Sequence, residues 1–406
     1  MELRQEGKQL ETSVIPSGWT KTRLDQIADI RSGGTPSTGN PDFWNGGVPW
    51  CTPTDITALG GRKYLTETER TISQEGLRCS SAEVIPSNSI IMTSRATIGE
   101  CAINTVPMTT NQGFKNLIPS TTDCEFLYYL MTTQKERLIQ LCGGSTFLEV
   151  GKKQLLGFEV ILPNEIDEQH TIATALSDVD ALLEGLDRLI AKKRDLKQAA
   201  MQQLLTGETR LPGYTGEWEE KRVFELGEVV TGGTPKTSVA EYWGGEYPWV
   251  TPTDISTCRD MSTSERCLTR EGVEAIRSLP PNSVLVTCIA SIGKNAILKV
   301  PGACNQQINA VIPNQNNNPV FLYYMFEASK SLLLANAGIT ATSIISKAAF
   351  SELSFRIPLY NEQTEIAEVL SDMDAEIAAL EQRRAKTADL KQAMMQELLT
   401  GRTRLA

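Results

Sequence analysis

The sequence predicts an α+β fold class, with two similar mixed α/β domains separated by a long antiparallel two-helix coiled coil in a circular, pseudo-two-fold organisation. Three observations support this prediction. The chain repeats itself once, each repeat ends in a stretch with heptad spacing, and the end of the second repeat leads in order to the start of the first. Two domains and two helices therefore account for most of the chain.

The repeat is visible in two separate segments of the sequence. Pro49–Ile56 returns as Pro248–Ile255, 199 residues later, with seven identities in eight positions. Leu196–Leu211 returns as Leu390–Leu405, 194 residues later, with thirteen identities in sixteen. Solenoid repeats are roughly 20–50 residues long, so this period is far too long for a solenoid. Each copy is instead a whole domain followed by a helix.

Each predicted domain contains short β-like runs, such as Ser89–Thr93, that are interrupted by Gly, Pro and Asn. Phe126–Met131 predicts a helix buried on one side, and it recurs as Phe321–Phe326. The strand order does not follow from the pattern. The predicted parts are an N-terminal arm (1–17), a first domain (18–162), a helical spacer (163–211), a second domain (212–358) and a second helical spacer (359–406).

The spacers carry the helical signal. From about Glu165 to Leu205, apolar residues follow the 4-3 spacing of a coiled-coil seam, and Thr206-Gly207 supplies a stop. A helix of about 40 residues spans roughly 60 Å, which is longer than one such domain can cover. This length favours pairing of the two helices over the alternative that each lies on its own domain. The predicted seam consists of Ile172, Leu176, Val179, Leu183, Leu186, Ile190, Ile366, Leu370, Met373, Ile377 and Leu380.

The order of the segments predicts the direction of pairing. In the first copy the helix stop leads to Gly216-Glu217-Trp218, whereas the second stop, Thr400-Gly401, comes at the end of the sequence. The equivalent of the next element is Gly18-Trp19. We therefore expect the second helix to return toward the first domain, which makes the pair antiparallel.

Composition restricts the possible functions. The net charge of −10 argues against a strongly basic domain that holds DNA phosphates by itself, so a DNA-binding role requires partners that supply much of the backbone attraction. The nine cysteines include no Cys-x-x-Cys pair, which indicates neither a disulfide framework nor a zinc site. No apolar run is long enough for a membrane span, and the first residues do not resemble a secretory signal. We expect a cytoplasmic protein.

No catalytic machinery is apparent in the sequence. The single histidine, His170, lies at the start of a predicted helix, where a surface or capping role is expected. Asn40–Phe43 only faintly resembles the Asn-Pro-Pro-Phe motif of amino-methyltransferases, since the second proline is missing. Ile292–Asn295 lacks the glycine spacing and the Ser/Thr of a phosphate loop. We predict no catalytic residue, no metal and no cofactor in this chain.

Polar residues next to the β-like runs are the best candidates for recognising DNA. Amide side chains can pair with adenine, and arginine can pair with guanine. Arg95 is replaced by Ile289 in the second copy, and Arg62-Lys63 faces Met261-Ser262, which fits two readers with different preferences. The alternative is that shared residues build the fold, with Asp55 and Asp254 as helix caps. The candidates are Thr35, Thr52, Thr54, Asp55, Arg62, Lys63, Ser94, Arg95, Thr97, Asn111 and Gln112, and in the second copy Thr234, Thr251, Thr253, Asp254, Thr287, Ser291, Asn305 and Gln306.

The ordered motifs resemble those of the specificity subunit of type I restriction-modification systems over essentially the whole chain. The departures are local, with Ile289 in place of the arginine of Ser-Arg and Gln307 in place of the glycine of Asn-Gln-Gly. The segments that carry the resemblance are Gly33–Pro36, Pro49–Ile56, Ser94–Gly99 and Asn111–Gly113 in the domain, and Leu196–Gly207 and Leu390–Gly401 in the helices.

The resemblance implies a non-catalytic subunit whose two target-recognition domains each read one half of a bipartite, asymmetric site in double-stranded DNA. It also implies that the coiled coil sets the gap and docks two methyltransferase subunits, and that two translocase-nuclease subunits join the complex. S-adenosylmethionine, ATP and Mg²⁺ would then be bound by those partners. Two alternatives stay open. One is a tandem-domain protein-interaction scaffold without DNA contact, which the acidic composition favours, and the other is a self-contained DNA enzyme.

Overall fold

A computed structural model describes residues 15–142, 148–255, 258–338 and 343–405 of the chain. These residues form two compact units. Unit 1 comprises Met1–Gly185 with Arg383–Ala406, and unit 2 comprises Leu186–Gln382. Both boundaries fall inside long helices, so each unit contains one domain and a segment of each helix. Most of the predicted N-terminal arm (1–14) lies outside the described residues.

The domain of unit 1 is built on three small sheets. The five-stranded sheet has the order β2-β9-β6-β7-β4, the three-stranded sheet β5-β3-β8, and the third pairs β1 with β10. Neighbouring strands are antiparallel except β4–β7 and β3–β8. The strands are β1 Trp19–Arg23, β2 Ala28–Ser32, β3 Trp44–Cys51, β4 Tyr64–Leu65, β5 Thr71–Ile72, β6 Ser89–Thr93, β7 Cys101–Asn104, β8 Thr109–Thr110, β9 Phe114–Pro119 and β10 Glu159–Pro163.

Helix α4 (Cys124–Thr132) lies at the centre of the core of this domain. Asp123 caps it by accepting a hydrogen bond from the amide of Phe126 at 2.8 Å. The predicted helix is therefore present, but its burial on one side only was wrong, because all six residues Phe126–Met131 are buried in a core shared with the long helices. The helices are α1 Leu24–Ile27, α2 Pro53–Ala58, α3 Gln74–Arg78, α4 Cys124–Thr132, α5 Lys135–Gln140, α6 Lys152–Leu156 and the long α7 Ile166–Leu204, with a 3₁₀ turn at Pro41–Phe43.

Unit 2 repeats this topology. Its sheets have the orders β12-β19-β16-β17-β14, β15-β13-β18 and β11-β20. The strands are β11 Glu219–Arg222, β12 Gly227–Thr231, β13 Trp243–Val250, β14 Asp260–Met261, β15 Cys267–Leu268, β16 Ser283–Thr287, β17 Asn295–Leu298, β18 Ala303–Cys304, β19 Ile308–Pro313 and β20 Ser354–Ile357. The helices are α8 Val223–Leu226, α9 Arg270–Glu274, α10 Pro319–Ala328, α11 Lys330–Ala335, α12 Lys347–Ser351 and the long α13 Tyr360–Leu398, with a 3₁₀ turn at Ala240–Tyr242.

Segments of the two long helices share a core within each unit. In unit 1, Ile172 near the start of α7 belongs to the same apolar cluster as Leu398 at the end of α13. In unit 2, Leu204 at the end of α7 shares a cluster with Ile366 near the start of α13. The start of one helix thus meets the end of the other, so the paired segments are antiparallel. The same clusters contain residues of the domain, so each helix also packs on its own domain.

The seam residues are removed from solvent to different extents. Ile172, Leu176, Ile366 and Leu370 are almost fully buried, because they lie in clusters that also contain domain residues. Ile172, Leu176, Leu186, Ile190, Ile366, Leu370 and Ile377 are buried, whereas Val179, Leu183, Met373 and Leu380 are half-buried.

The chain that follows each long helix binds the start of the other helix. Arg404 forms a two-pronged ion pair with Glu168 in unit 1, and its Nη1 donates to the carbonyl of Ser17 at 2.6 Å. Arg210 pairs with Glu362 in the same way in unit 2, at 2.5 and 2.7 Å. The return of the second helix to the first domain is therefore confirmed.

Two glycines in the long helical segments should respond to substitution in opposite ways. Gly401 has φ +68° and a Cβ built on it would lie 2.7 Å from Cγ of Pro16, so Gly401→Ala should lower the free energy of unfolding by about 1–3 kcal/mol. Gly185 lies inside α7 with open space around it, so Gly185→Ala should raise it by about 0.8–1 kcal/mol. Urea denaturation of both variants checks this, and a shift of the same sign in both would contradict it.

Candidate nucleic-acid interface

Four loops of unit 1 meet at one end of its sheets. The amide of Gly34 donates to the carbonyl of Thr110 at 2.9 Å, that of Ser94 to Gly113 at 2.7 Å, and that of Asn111 to Cys51 at 2.9 Å. Loops 33–36, 52–55, 94–97 and 111–113, which we call polar edge 1, are therefore joined by backbone hydrogen bonds. The topology places them together because β2, β3 and β6 end where the connection between β8 and β9 lies.

Unit 2 has an equivalent edge built by the same bonds. Gly233 donates to Cys304 at 2.8 Å, Cys288 to Gln307 at 2.8 Å, and Asn305 to Val250 at 2.9 Å. We call loops 232–235, 251–254, 288–291 and 305–307 polar edge 2. The sequence-predicted candidates in these loops are thus brought together in both copies.

An exposed glutamine lies at the surface of each edge. Thr35 Oγ1 donates to Oε1 of Gln112, and Thr234 Oγ1 donates to Oε1 of Gln306 at 2.7 Å. Within the described parts of the chain, neither glutamine amide nitrogen donates to another group. Each amide is therefore oriented by a threonine and keeps a free donor, as a side chain that reads a base edge requires.

The two edges differ most at the second residue after the end of β6 or β16. Arg95 is exposed and its Nη2 lies 2.8 Å from Oε2 of Glu149. The hydrogen bond from Arg95 lowers the pKa of Glu149 below its ordinary value, so this carboxylate stays charged and orients the guanidinium. Ile289 takes this position in edge 2 and forms a β-bridge with Ile344. One edge presents a cation where the other presents an apolar side chain.

The residue after this position has the same strained backbone in both copies. Ala96 has φ 56° and Ala290 has φ 61°, a region that non-glycine residues adopt at a cost of order 1–3 kcal/mol. Thr97 and Ser291, the candidates that follow, are half-buried, and Oγ1 of Thr97 has no partner in the described structure. The turn is therefore held in a defined shape by its surroundings.

Thr52, Asp55 and their copies have a structural role. Oδ2 of Asp55 accepts from both the amide and the hydroxyl of Thr52 at 2.7 Å, and its Oδ1 accepts from the amide of Glu69 at 2.9 Å. Thr251 and Asp254 repeat the amide and hydroxyl bonds at 2.7 and 2.6 Å. The capping alternative is correct for Asp55, and these four residues shape the loops, while their assignment as base-contacting candidates stays a prediction.

Several other candidates are also committed to internal hydrogen bonds. Ser94 is fully buried and donates to the carbonyl of Gly113 at 3.0 Å, and Thr287 is fully buried and accepts from the amide of Lys294 at 3.0 Å. Asn305 accepts from the amide of Gln307 at 3.0 Å, as Asn111 does from Gly113 at 2.8 Å. These four residues hold the loops together. Ser94 and Thr287 are fully enclosed, which corrects their assignment as base contacts, whereas that of Asn111 and Asn305 stays a prediction.

The exposed candidates are few. Thr54 and Thr253 are exposed, and Thr253 shares a hydrogen bond with the hydroxyl of Thr251 at 2.7 Å. Arg62 is exposed, and its Nε donates to the carbonyl of Leu59 at 3.1 Å. Arg95, Gln112, Thr234 and Gln306 are exposed as well, whereas Thr35 is half-buried.

Lys63 lies far from solvent and binds the domain to α7. Its Nζ donates to Oε2 of Glu125 and Oγ of Ser177 at 2.8 Å each, and to the hydroxyl of Tyr129 at 3.3 Å. Tyr129 in turn donates to Oδ2 of Asp180 at 2.6 Å. The assignment of Lys63 as a DNA contact was wrong, because only 7% of its side chain is exposed.

The structure also corrects the pairing of Lys63 with the second copy. The amide of Ile103 donates to the carbonyl of Lys63, and the equivalent amide of Ile297 donates to Arg259, so Arg259 and not Ser262 is the counterpart. Arg259 donates to Oγ of Ser371 at 2.7 Å and to Tyr324 at 3.2 Å. Both copies thus carry a cation at this position, and the basic difference inferred at Lys63 does not exist, whereas Arg62 faces Cys258 in the second copy.

The other long helix completes each network. Nζ of Lys391 lies 2.6 Å from Oδ1 of Asp180 in unit 1, and Nζ of Lys197 lies 2.5 Å from Oδ1 of Asp374 in unit 2. Burial raises the pKa of Tyr324 to about 12, so this hydroxyl stays protonated and donates to Asp374 at 2.6 Å. Each domain is therefore joined to segments of both long helices by one chain of hydrogen bonds.

Comparison with known proteins decides the family. The sequence matches the family described as the type I restriction modification DNA specificity domain twice, over residues 16–192 and 215–388, which together make up most of the chain. The chain belongs to this specificity family.

Two specificity subunits illustrate the extent of the similarity. The type I restriction enzyme MjaIX specificity subunit of Methanocaldococcus jannaschii is 39% identical over 183 residues, or 44% of this chain and 42% of the relative. The EcoR124I/EcoR124II specificity subunit of Escherichia coli is 32% identical over 186 residues, or 44% of this chain and 46% of the relative. The chain thus spans less than half the length of these curated relatives.

Solved structures of specificity subunits have the same fold. The S subunit of a type I restriction-modification system from M. genitalium has a TM-score of 0.58 at 16% identity, covering 96% of this chain and 97% of that one. The HsdS subunit of Thermoanaerobacter tengcongensis has a TM-score of 0.54 at 18% identity, covering 96% and 99%. The predicted fold class, with tandem mixed α/β domains and long intervening helices, is confirmed.

Among the residues that the structure describes, no three or more His, Cys, Asp or Glu side chains form a group that could hold a metal ion. No helix among the same residues is long and apolar enough to cross a bilayer. His170 is exposed, with Nδ1 3.4 Å from Oδ2 of Asp123 near the start of α7.

Sequence analysis missed one feature of both domains of this specificity-family chain. The guanidinium of Arg70 lies over the ring of Trp44, 3.9 Å from its centre, and Arg266 lies over Trp243 at 3.7 Å. We call each an arginine–tryptophan stack. The signal was present in the repeat of Thr-Glu-Arg (68–70) as Ser-Glu-Arg (264–266), but tryptophan and arginine are too far apart in sequence to suggest contact.

Replacing the buried Lys63 with an uncharged residue should destabilise the protein. Lys63→Met leaves Glu125, 34% exposed, without its ion-pair partner, so we expect a loss of about 2–3 kcal/mol in the free energy of unfolding. Burial acts to raise the pKa of Glu125, but hydrogen bonds from Lys63, Ser177 and Tyr64 outweigh it and hold the pKa below its ordinary value.

The matched control is Lys21→Met, since Lys21 and Glu159 form an ion pair in which both side chains are 50% exposed. This change should cost at most about 1 kcal/mol. Urea denaturation of the two variants measures the difference. Equal losses would show that the Lys63 network does not stabilise unit 1.

Proposed function

We propose that this chain is the non-catalytic DNA-specificity subunit of a type I restriction-modification complex, and that each domain reads one half of a bipartite, asymmetric DNA site through its polar edge. The observation that carries the proposal is the relation between the edges. Their backbones are held by equivalent hydrogen bonds, yet Arg95 of one edge is replaced by Ile289 in the other. Two domains with equivalent loop backbones and different exposed side chains suit a DNA site with two different halves.

The exposed side chains match the chemistry of base edges. An amide such as that of Gln112 can pair with adenine N6 and N7, and a guanidinium such as that of Arg95 can pair with guanine O6 and N7. An apolar side chain such as Ile289 can instead contact the methyl group of thymine. Direct base reading therefore needs only the residues that the edges expose.

The partners we propose are the two methyltransferase subunits and two translocase-nuclease subunits of such a complex. Leu196 and Leu390, at equivalent positions of the long helices, are 47% and 57% exposed and are our candidates for apolar contact with a methyltransferase. S-adenosylmethionine, ATP and Mg²⁺ would be bound by those partners. We also propose that the helices set the gap between the half-sites, and that the complex acts on DNA in the cytoplasm.

One observation favours a second candidate. The net charge of −10 and pI near 5.0 fit a tandem-domain protein-interaction scaffold without DNA contact. An electrophoretic shift of DNA by the chain together with its methyltransferase partner separates the two functions. A shift that requires this chain supports the specificity role, whereas partner binding without any shift supports the scaffold.

Exchange of one domain tests the proposed function. Replacing residues 18–160 with the equivalent domain of another specificity subunit should change the bases of one half of the methylated site and leave the other half unchanged. Single-molecule sequencing of N6-methyladenine in a host carrying the system measures both halves. The unmodified chain in the same host is the control, and an unchanged site after exchange would refute the proposal.

A single substitution tests whether Arg95 in polar edge 1 reads a base. Arg95→Ile introduces the residue of edge 2 and removes the exposed cation, so discrimination at one base pair of one half-site should fall by about 1–3 kcal/mol. Methylation rates on duplexes that vary each base pair measure this. Arg23→Gln, which removes an exposed cation paired with Asp25, is the control and should leave the profile unchanged. A uniform loss across all duplexes would contradict base reading by Arg95.

A further inference from the structure

Each domain holds an exposed arginine over two tryptophan rings, of which one is half-buried and the other is buried. The guanidinium of Arg70 lies 3.9 Å from the ring centre of Trp44 and 5.0 Å from that of Trp50. Arg266 lies 3.7 Å from Trp243 and 5.3 Å from Trp249 in the other copy. In both pairs the tryptophan rings meet edge to face. The orientation of the arginine is therefore set by two rings that are themselves packed together.

The backbone of this arginine is fixed from the same side. The carbonyl of Arg70 accepts from the amide of Trp50 at 3.0 Å and from the hydroxyl of Thr68 at 2.7 Å. Oδ1 of Asp55 holds the preceding residue through the amide of Glu69. The second copy repeats each of these bonds with its own residues. Arg70 is thus held at both ends, by its backbone and by its guanidinium plane.

The arginine–tryptophan stack adjoins the polar edge. Nε1 of Trp50 donates to the carbonyl of Gly34 at 2.9 Å, and Nε1 of Trp44 donates to Ser37 at 3.2 Å. In unit 2, Nε1 of Trp249 donates to Gly233 at 2.8 Å. The ring that supports each arginine is therefore bonded to the residue before Thr35 or Thr234.

Both guanidinium groups keep their N–H donors available. Neither makes an ion pair or a hydrogen bond through its side chain to any residue that the structure describes, although an acidic residue precedes each in sequence. Arg95, by contrast, is paired with Glu149, and Lys63 is buried against Glu125. An arginine held rigidly with its donors free is suited to bind an anion with two parallel hydrogen bonds.

We propose that Arg70 and Arg266 are phosphate anchors, each binding one backbone phosphate beside the half-site that its domain reads. This inference rests on the proposed function. Phosphate fits better than a base because the arrangement is the same in both copies. The DNA backbone is alike at both half-sites, so one arrangement can serve both copies, whereas the difference between two half-sites must be read by residues that themselves differ, such as Arg95 and Ile289.

The proposed phosphate anchors also explain how a chain with a net negative charge can contribute to DNA binding. A chain of net charge −10 repels DNA as a whole, so its own attraction must come from cations that no carboxylate neutralises. Arg70 and Arg266 meet this condition within the described structure. They would fix the register of each edge on the duplex, while partner subunits supply further phosphate contacts.

The test uses the chain assembled with its methyltransferase subunits and two DNA duplexes, one with the methylated site and one with a scrambled site. Arg70→Met, Arg266→Met and the double variant remove the charge and keep an apolar side chain over the tryptophan. Fluorescence anisotropy at several KCl concentrations gives the slope of log affinity against log salt. Each substitution should reduce the steepness by about 0.9, so the affinity ratio between about 50 and 200 mM salt falls by about 3.5-fold per arginine on both duplexes.

The controls distinguish the loss of any exposed positive charge from the loss of the charge at Arg70 or Arg266. Arg78→Met and Arg270→Met remove exposed arginines that are paired with Glu75 and Glu274, and they should leave the slope unchanged. Arg70→Lys should retain most of the slope, since it keeps the charge. Urea denaturation of each variant checks that the domain stays folded.

The outcomes distinguish the anchors from the proposed function. Reduced slopes on both duplexes support the anchors. Unchanged slopes in folded variants, while the unmodified complex still binds the site, overturn the anchors alone. A loss confined to the methylated site, with altered preference at one base pair, assigns Arg70 to base reading and also overturns them. If the unmodified complex binds neither duplex, the proposed function fails and the anchors fail with it.

Discussion

The chain of buried hydrogen bonds that joins each domain to the long helices is the interaction on which the rest depends. In unit 1 it runs from Lys63 through Tyr129 and Asp180 to Lys391, and so connects a sheet, a core helix, α7 and α13. A buried polar group such as the Lys63 ammonium is costly when its partners are absent, so the network stabilises this packing of the domain on the helices. Unit 2 achieves the same with a different cation, Arg259, because the network needs a charge and several donors but no particular side chain.

The residues of the polar edges fall into two groups, those that hold the loops in shape and those that are exposed for recognition. The residues that the copies share, such as Asp55 and Asn111, mostly bond to backbone and hold loops in shape. The residues that reach solvent at the edges include those that differ, above all Arg95 and Ile289. Two domains with the same loop structure can therefore expose different side chains. Recognition of an asymmetric site requires such a difference.

The acidity of the chain fits this division. Several of its cations are bound to carboxylates within the fold, including Lys63 with Glu125 and Arg95 with Glu149. Such pairs orient side chains but contribute little net attraction for DNA. Under the proposed function, a few groups with fixed geometry would read the sequence, and most of the attraction for the DNA backbone would come from other parts of the complex.

Much of the architecture followed from the sequence alone. The internal repeat identified two equivalent domains, and heptad spacing predicted helices from about residue 165 to 205, close to the observed Ile166–Leu204, because helical periodicity is a local property. The order of the segments also predicted the antiparallel pairing. The strand order, the full burial of Phe126–Met131, the burial of Lys63 and the stacking of Arg70 on Trp44 did not follow. Each depends on contacts between residues distant in the chain, so the sequence determined what the segments are, and only the tertiary structure decided which polar side chains are enclosed and which remain free to bind.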